Sequence, residues 1–356
     1  MDANEPGRTM QSHECKTQII MKKSPRFPQT GRPASFAVGL LALWLPLAAA
    51  RAQLTSAEIN DLKNQMGDRI ETATILGGDF GVSGASFNGD AGNNGKTLDL
   101  QKFGGSGVVG DPKQLGTLPI GWQPQLQGSM GYLTAHNTFN NPAHTNLVGT
   151  ENKIHDFSIQ FGGGAAFWFN NSFSIAPTIM GMYGHTENTF YYNNNPYAKA
   201  LQPAAIAAGL VGWSADTWTV RPSLDFEYIY VWHRTIFTLN SVPTYFHTES
   251  FNTSNPNVSV NGDSETWMNK IDVDVPLGKD LWGHELRTGG FISRTDFYGD
   301  IKDGLNSDYL YEAHGRLTLD FLNQLWKVQW IGLGGSYLWG SNFTGYSYGL
   351  DIEFRF

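Results

Sequence analysis

Residues Gly345–Phe356 read GYSYGLDIEFRF, and this stretch decides the fold. Tyr346, Tyr348, Leu350, Ile352, Phe354 and Phe356 hold the even positions, while Gly345, Ser347, Gly349, Asp351, Glu353 and Arg355 hold the odd ones. A repeat of two sends these sets to opposite faces of a strand. In a soluble protein such a strand would be an exposed, aggregation-prone edge. Lipid on one side and water on the other demand this pattern, so it predicts the closing strand of an outer-membrane β-barrel.

Composition agrees with that reading. The chain has 356 residues, 13% of them aromatic and 16% charged, with 41 glycines and a mean hydropathy of −0.30. Only every second strand residue of a barrel meets lipid, so a mildly hydrophilic average is expected. No uninterrupted apolar run reaches the ~18 residues of a spanning helix. The longest, Phe36–Ala50 (FAVGLLALWLPLAAA), follows Lys22, Lys23, Arg26 and Arg32 and precedes the small-x-small site Ala50-Arg51-Ala52. These are the parts of a secretory signal peptide cut before Gln53, and its basic region fits best with translation from Met21. Pro46 and the shortness of the run argue against an uncleaved anchor helix. Cys15, the one cysteine, lies ahead of that cut, so the exported chain has no thiol chemistry, which suits an oxidising periplasmic route. Without residues 1–52 the chain keeps 17 Lys/Arg and 29 Asp/Glu, a formal charge of −12. That balance speaks against nucleic acid as a partner.

Three parts follow: the leader 1–52, a helical stretch 53–71 and a barrel 72–356. In the second, LTSAEINDLKNQMGDRI (54–70), Thr55-Ser56-Ala57-Glu58 fits a capping box, and Ile59, Leu62, Met66 and Ile70 make a narrow apolar stripe. At 1.5 Å per residue this helix spans roughly 25 Å, about the height of a barrel's apolar band. Two placements fit it, through the lumen or beside the barrel in the periplasm. From residue 71 the period becomes two. The segments 72–87, 98–108, 122–136, 155–169, 173–185, 203–213, 218–233, 267–275, 284–297, 308–321, 326–340 and 345–356 give twelve strands, with a bulge expected between Trp330 and Ile331. Long links, among them Asn140–Glu151, Phe190–Gln202, Arg234–Pro256 and Tyr298–Leu305, alternate with short ones such as Asn170–Ser172 and Leu322–Gln324. That is the alternation of extracellular loops with periplasmic turns, and it predicts both termini at the periplasmic end of an antiparallel, up-and-down transmembrane barrel.

A leader, a short helix, about twelve strands and a terminal Phe after alternating aromatics resemble an autotransporter translocator domain. With no passenger between Gln53 and Thr55, the closest likeness is to the solitary outer-membrane autotransporter β-barrels. The resemblance covers Leu54–Phe356 and rests on architecture more than on a motif. It implies Sec export, residence in the Gram-negative outer membrane, and insertion by the barrel-assembly machinery with periplasmic chaperones. Tyr346, Tyr348, Leu350, Ile352, Phe354 and Phe356 would be the C-terminal assembly signal. It implies no secreted enzyme.

The alternation turns Asp156, Arg221, Asp225, Glu227, Lys270, Asp272, Asp274, Glu312, Arg316, Asp320, Asp351, Glu353 and Arg355 inward. Either they line a polar, cation-leaning path, or they neutralise one another in a network that fills a narrow lumen; the second is preferred here. His233 and Asp296 are the one candidate pair for chemistry, placed on the inner side of the extracellular rim, but nothing fixes a nucleophile and no catalytic residue is assigned. The nine histidines show no H-E-x-x-H, and NGDAGNNGK around Asp90 lacks EF-hand spacing, so neither a metal nor a cofactor is expected. The function implied is a non-enzymatic scaffold or plugged small channel, acting as a monomer in outer-membrane lipid. An open porin for small solutes is the alternative. A hydrolase, or an adhesin using extracellular loops such as Tyr191–Tyr197 and Thr244–Asn255, is the third.

Overall fold

The computed structural model describes residues 81–89, 95–138, 149–194, 196–209, 211–305, 307–325, 328–341 and 343–354. The leader, the stretch with Ile59, Leu62, Met66 and Ile70, the Asp90 loop, and Arg355 and Phe356 lie outside these residues. In chain order the elements are β1 (Gly81–Gly89), β2 (Gly95–Val108), β3 (Lys113–Gln114), β4 (Gly121–Thr138), β5 (Glu151–Trp168), β6 (Phe173–Tyr191), α1 (Pro196–Ala207), β7 (Ser214–Trp232), β8 (Thr235–Thr253), β9 (Asn261–Leu281), β10 (His284–Gly299), α2 (Asp300–Leu305), β11 (Tyr309–Leu325), β12 (Val328–Gly340) and β13 (Phe343–Phe354). The long strands pair antiparallel with their neighbours in sequence, β2 pairs with β4, and β1 pairs with β13 from Val82↔Leu350 to Gly89↔Phe343. The wall is a closed antiparallel barrel of twelve strands, and β3 only extends the start of β4. The stretch that begins at Gly345 supplies its closing strand.

Two of the twelve strands differ from expectation. Residues 203–213 are not a strand: α1 runs through the first five of them, and its sequence PYAKALQPAAIA is rich in the best helix former. Conversely, most of Arg234–Pro256 is not a loop but β8, so Thr244–Asn255 is largely wall. The inward side of β8 carries Val242 and Phe246 and its outward side Phe237, Leu239 and Tyr245, so the contrast between faces is weak. Pro243 then reads as a breaker, and the ladder to β7 does skip from Thr244 to Ser241. The two differences cancel in the count, yet they reverse β7, which runs toward the tight turns rather than away from them. The irregularity in β12 falls one step early, between Val328 and Trp330.

At one end, the turn end, the connections are tight for local reasons. Asn170 Oδ1 accepts from the backbone N–H of Ser172 (2.7 Å) and Phe173 (2.8 Å), closing an Asx turn. The two-residue links β7–β8 and β9–β10 put His233 at φ 56°, Trp282 at φ 55° and Gly283 at φ 81°, the left-handed geometry that matches hairpin twist. The other, loop end carries α1 and α2.

The outer face changes character at one level. On β6 the lipid-like stretch from Phe173 to Tyr183, and on β4 that from Trp122 to Tyr132, cover the ~9–11 residues that a tilted strand needs to cross hydrocarbon. Tyr132, Phe157, Tyr183, Trp218, Tyr245 and Trp267 form the aromatic rank at the loop side, all well exposed. Immediately beyond it the surface is charged: the Tyr183 hydroxyl donates to Asp216 (2.9 Å), which also meets His185 Nδ1 (2.6 Å), and Asp263 takes the Tyr245 hydroxyl and His247 Nδ1 (2.9 Å). β5 to β9 have 18–21 residues, against 9 in β1 and 12 in β13. Among the described residues the wall therefore rises furthest beyond the apolar band over β5 to β9, as a collar.

Candidate functional site

The lumen has two tiers. Toward the loop end the inward side chains are small and hydroxylic and fully buried, as with Ser158, Thr186, Thr217, Thr219, Thr248 and Ser264. Thr219 and Thr248 share a 2.8 Å hydrogen bond, and Thr178 and Ser223 one of 2.6 Å. Above them α2 folds into the mouth. Its Ile301 is 1% exposed and forms one buried cluster with Met182 of β6, Phe246 of β8 and Phe297 of β10, with Leu305 and Leu310 packed against it. Strands six, eight and ten span a third of the circumference, so this group caps the lumen wall on that side of the mouth. The Ile301 backbone N–H donates to Ser264 Oγ (2.9 Å), and the Asp263 N–H to Asp300 Oδ2 (3.1 Å). The chain enters α2 through Gly299 at φ 70°, where a Cβ would lie 2.2 Å from the Asp263 carbonyl oxygen; only glycine makes that bend. Beneath the apolar layer, the Arg221 guanidinium lies 5.6 Å from the Phe246 ring and donates to Gln160 Oε1 (3.3 Å).

The lower tier, nearer the turn end, holds most of the charges. Arg316 of β11 takes both Asp272 oxygens of β9, at 2.6 and 2.7 Å. Arg287 of β10 donates from Nε to Asp274 (2.8 Å) and from Nη1 to Glu285 (3.2 Å), which also pairs with Arg234. Asn240 amide nitrogen lies 3.4 Å from Asp225 and 3.5 Å from Glu227. Lys270 sits 5.5 Å over the Phe291 ring. Glu312 accepts from Ser336 Oγ, itself 2.8 Å from His314 Nδ1. Asp320 is placed by register opposite Glu285 and Trp330, and its carbonyl oxygen is 3.2 Å from His284 Nδ1. Asp351 and Glu353 are placed by register alone, opposite Gly332 and Trp330. Asp156 stands apart from this group: wholly buried in the upper tier, it accepts from Thr186 Oγ1 at 2.6 Å.

Sequence reasoning missed Arg287, Glu285, Arg234 and Asn240. The first two sit where β10 shifts register, between Leu286 and Arg287, and the last two in the stretch read as a loop. The proposed pairing of His233 with Asp296 is overturned. His233 lies in the β7–β8 turn, whereas Asp296 is near the opposite end of β10 on the outer face, ion-paired to Arg294 at 2.6 Å. Gly345–Gly349, GYSYG, does match the G-x-S-x-G string of a nucleophile elbow. It lies in mid-strand, with Ser347 paired to Ser336 and Ala85, so it lacks the strand-to-helix turn that exposes a nucleophile. No three metal-ligating side chains converge among the described residues. A groove of about 490 Å³ on the outer face, lined by Phe173, Phe226, Leu239, Ile271 and Ile292, belongs to the lipid-facing band. Of the terminal aromatics, Tyr346, Tyr348 and Leu350 are exposed on the outer face, and Ile352 and Phe354 continue the strand opposite Ile331 and Val328.

Known proteins share this architecture. The profile of the solitary outer membrane autotransporter beta-barrel domain matches residues 114–350. The transport unit of the autotransporter AIDA-I from Escherichia coli superposes with a TM-score of 0.52, at 10% identity over 77% of this chain and 89% of that one. The β domain of the Bordetella autotransporter Brka matches at 0.45, with 12% identity over 78% and 100%. The translocator domain of NalP from Neisseria meningitidis matches at 0.42, with 9% identity over 85% and 98%. At such identity the likeness to AIDA-I concerns the fold alone. No curated protein sequence matches the chain.

Proposed function

The chain belongs to the solitary outer membrane autotransporter beta-barrel family, and from that premise we propose that it acts as a non-enzymatic, plugged barrel, a scaffold held in the Gram-negative outer membrane with its lumen closed at rest. The loop end then faces the outside and the turn end the periplasm. One observation carries this reading: Ile301 of α2 is buried at the mouth in one apolar cluster with Met182, Phe246 and Phe297. An apolar layer of that kind resists wetting, which opposes ion passage. The ion pairs below it support the same reading, because a bidentate Arg–carboxylate pair offers a passing ion less than a free charge would.

From the periplasmic side, the helical stretch 54–70 is the plug we propose. Inward-facing Leu98, Leu100 and Leu133, with Phe87 and Ala135, make an apolar patch on β1, β2 and β4 that suits the stripe Ile59, Leu62, Met66 and Ile70. The alternating aromatics Tyr346 to Phe356 would serve as the assembly signal for the insertion machinery, and lipid would be the barrel's standing partner, the protein acting as a monomer. Single-channel recording on the intact chain and on a chain lacking residues 54–70 tests the plug. Silence from the intact chain and discrete steps after the deletion are expected. Equal, large conductance in both forms would instead mean an open porin.

A further inference from the structure

Where β6 leaves the collar, a cavity of about 390 Å³ opens between its end, α1 and the start of β7, within the range of small-molecule sites. Its lining sets the rings of Phe190, Tyr192 and Trp213 beside Glu187, Gln202 and Ser254. The Phe190 and Tyr192 rings stand 4.8 Å apart, tilted by 54°. Trp213, 2% exposed and backed by Val258 and Val260, forms the cavity's closed floor, its indole Nε1 out of a ligand's reach.

The cavity is built before any ligand arrives. Asn188 fixes one wall: Nδ2 donates to Asn152 Oδ1 (2.8 Å), Oδ1 accepts from the Gly212 N–H (3.1 Å), and its backbone N–H donates to the Trp213 carbonyl (2.8 Å). Asn255 and Asn257, from the next loop, donate to the last carbonyls of α1, at Ile206 (2.6 Å) and Ala207 (2.8 Å), and so hold the helix over the opening. No Lys or Arg lines the cavity among the described residues, while Glu187 does, which disfavours an anion. A purely apolar ligand would set Gln202 and Glu187 against hydrocarbon, whereas Ser254 Oγ is already bonded to the Ser214 backbone. Flat apolar rings interleaved with neutral donors and acceptors suit a molecule with C–H faces and hydroxyl edges. We propose that this extracellular cavity binds one saccharide unit, with the ring against Phe190 and Tyr192 and hydroxyl groups meeting Gln202 and Glu187. This site does not depend on whether the lumen conducts.

Saturation-transfer NMR on the full chain in detergent micelles tests it, with glucose, galactose, mannose and N-acetylglucosamine as probes and acetate and betaine as controls. Transfer to at least one sugar and to neither control is expected. Phe190→Ala and Gln202→Ala should each raise that sugar's Kd about five- to tenfold. Heat-modifiable gel migration reports whether each variant still forms its barrel. If Phe190→Ala does not, Gln202→Ala on the collar's outer helix carries the comparison. Absence of transfer to every sugar, transfer to the controls, or sugar binding unchanged in the folded variants overturns the proposal.

Discussion

Arg316 reaches Asp272 across an intervening strand because β10 has no side chain where the guanidinium passes. Gly289 pairs with Arg316 on one side and Asp274 on the other, and a Cβ there would sit 3.2 Å from Arg316 Nη2 and 2.7 Å from the Val273 carbonyl oxygen. Both members of the pair are mostly buried, at 13% exposure each, so removing one strands the other in a poorly hydrated wall. Arg316→Met should therefore destabilise the barrel by roughly 3 kcal/mol, and the double substitution Arg316→Met with Asp272→Leu should recover most of the loss. Urea unfolding followed by tryptophan fluorescence measures both. A loss in the double variant equal to the sum of the Arg316→Met and Asp272→Leu losses would mean that each residue acts alone, as it would in a wide, watery lumen. Much of this network was legible, since period-two alternation puts Asp272, Asp274 and Arg316 on one face without any structure. Arg287 was not, because a register shift beside it and two adjacent glycines break the count that alternation relies on.

At the scale of elements, the lesson lies in what alternation can see. β13 is legible because its two faces meet different media, and so is β7, where Trp218 to Trp232 alternate with Arg221, Asp225 and Glu227. β8 is hidden because Phe246 faces inward to build the mouth's apolar layer, so both faces look alike. The exchange of β8 for α1 preserved the twelve and inverted the path between them, which moved His233 from the outer rim to the periplasmic turn. Cysteine labelling checks the corrected path cleanly, because Cys15 is the chain's one cysteine and precedes the cleavage expected before Gln53. Lys199→Cys on α1 should react with a membrane-impermeant maleimide on intact cells. His233→Cys should react only once the outer membrane is permeabilised. Labelling of both on intact cells would return Arg234 and its neighbours to the outside.

Across the whole molecule, the uneven wall and the two proposed closures act in series. The collar on β5 to β9 gives α2 a surface to pack against beyond the membrane band, so Ile301 would narrow the mouth from the tall side. The stripe Ile59 to Ile70 would close the lumen from the periplasm. In a series path the larger barrier governs the current, so opening the smaller one alone changes nothing that can be measured. Ile301→Asp places a charge in the apolar layer and should wet it. In the intact chain that substitution should leave the barrel silent, because the helical plug still fills the lumen. In the chain lacking residues 54–70 it should raise the conductance step about twofold or more over the deletion alone, as the mouth becomes the remaining constriction. Steps from Ile301→Asp in the intact chain would show that the mouth is the only barrier and that residues 54–70 lie elsewhere. An unchanged step in the combined variant would mean that ions pass on the short side of the wall, beside β1, where no collar rises.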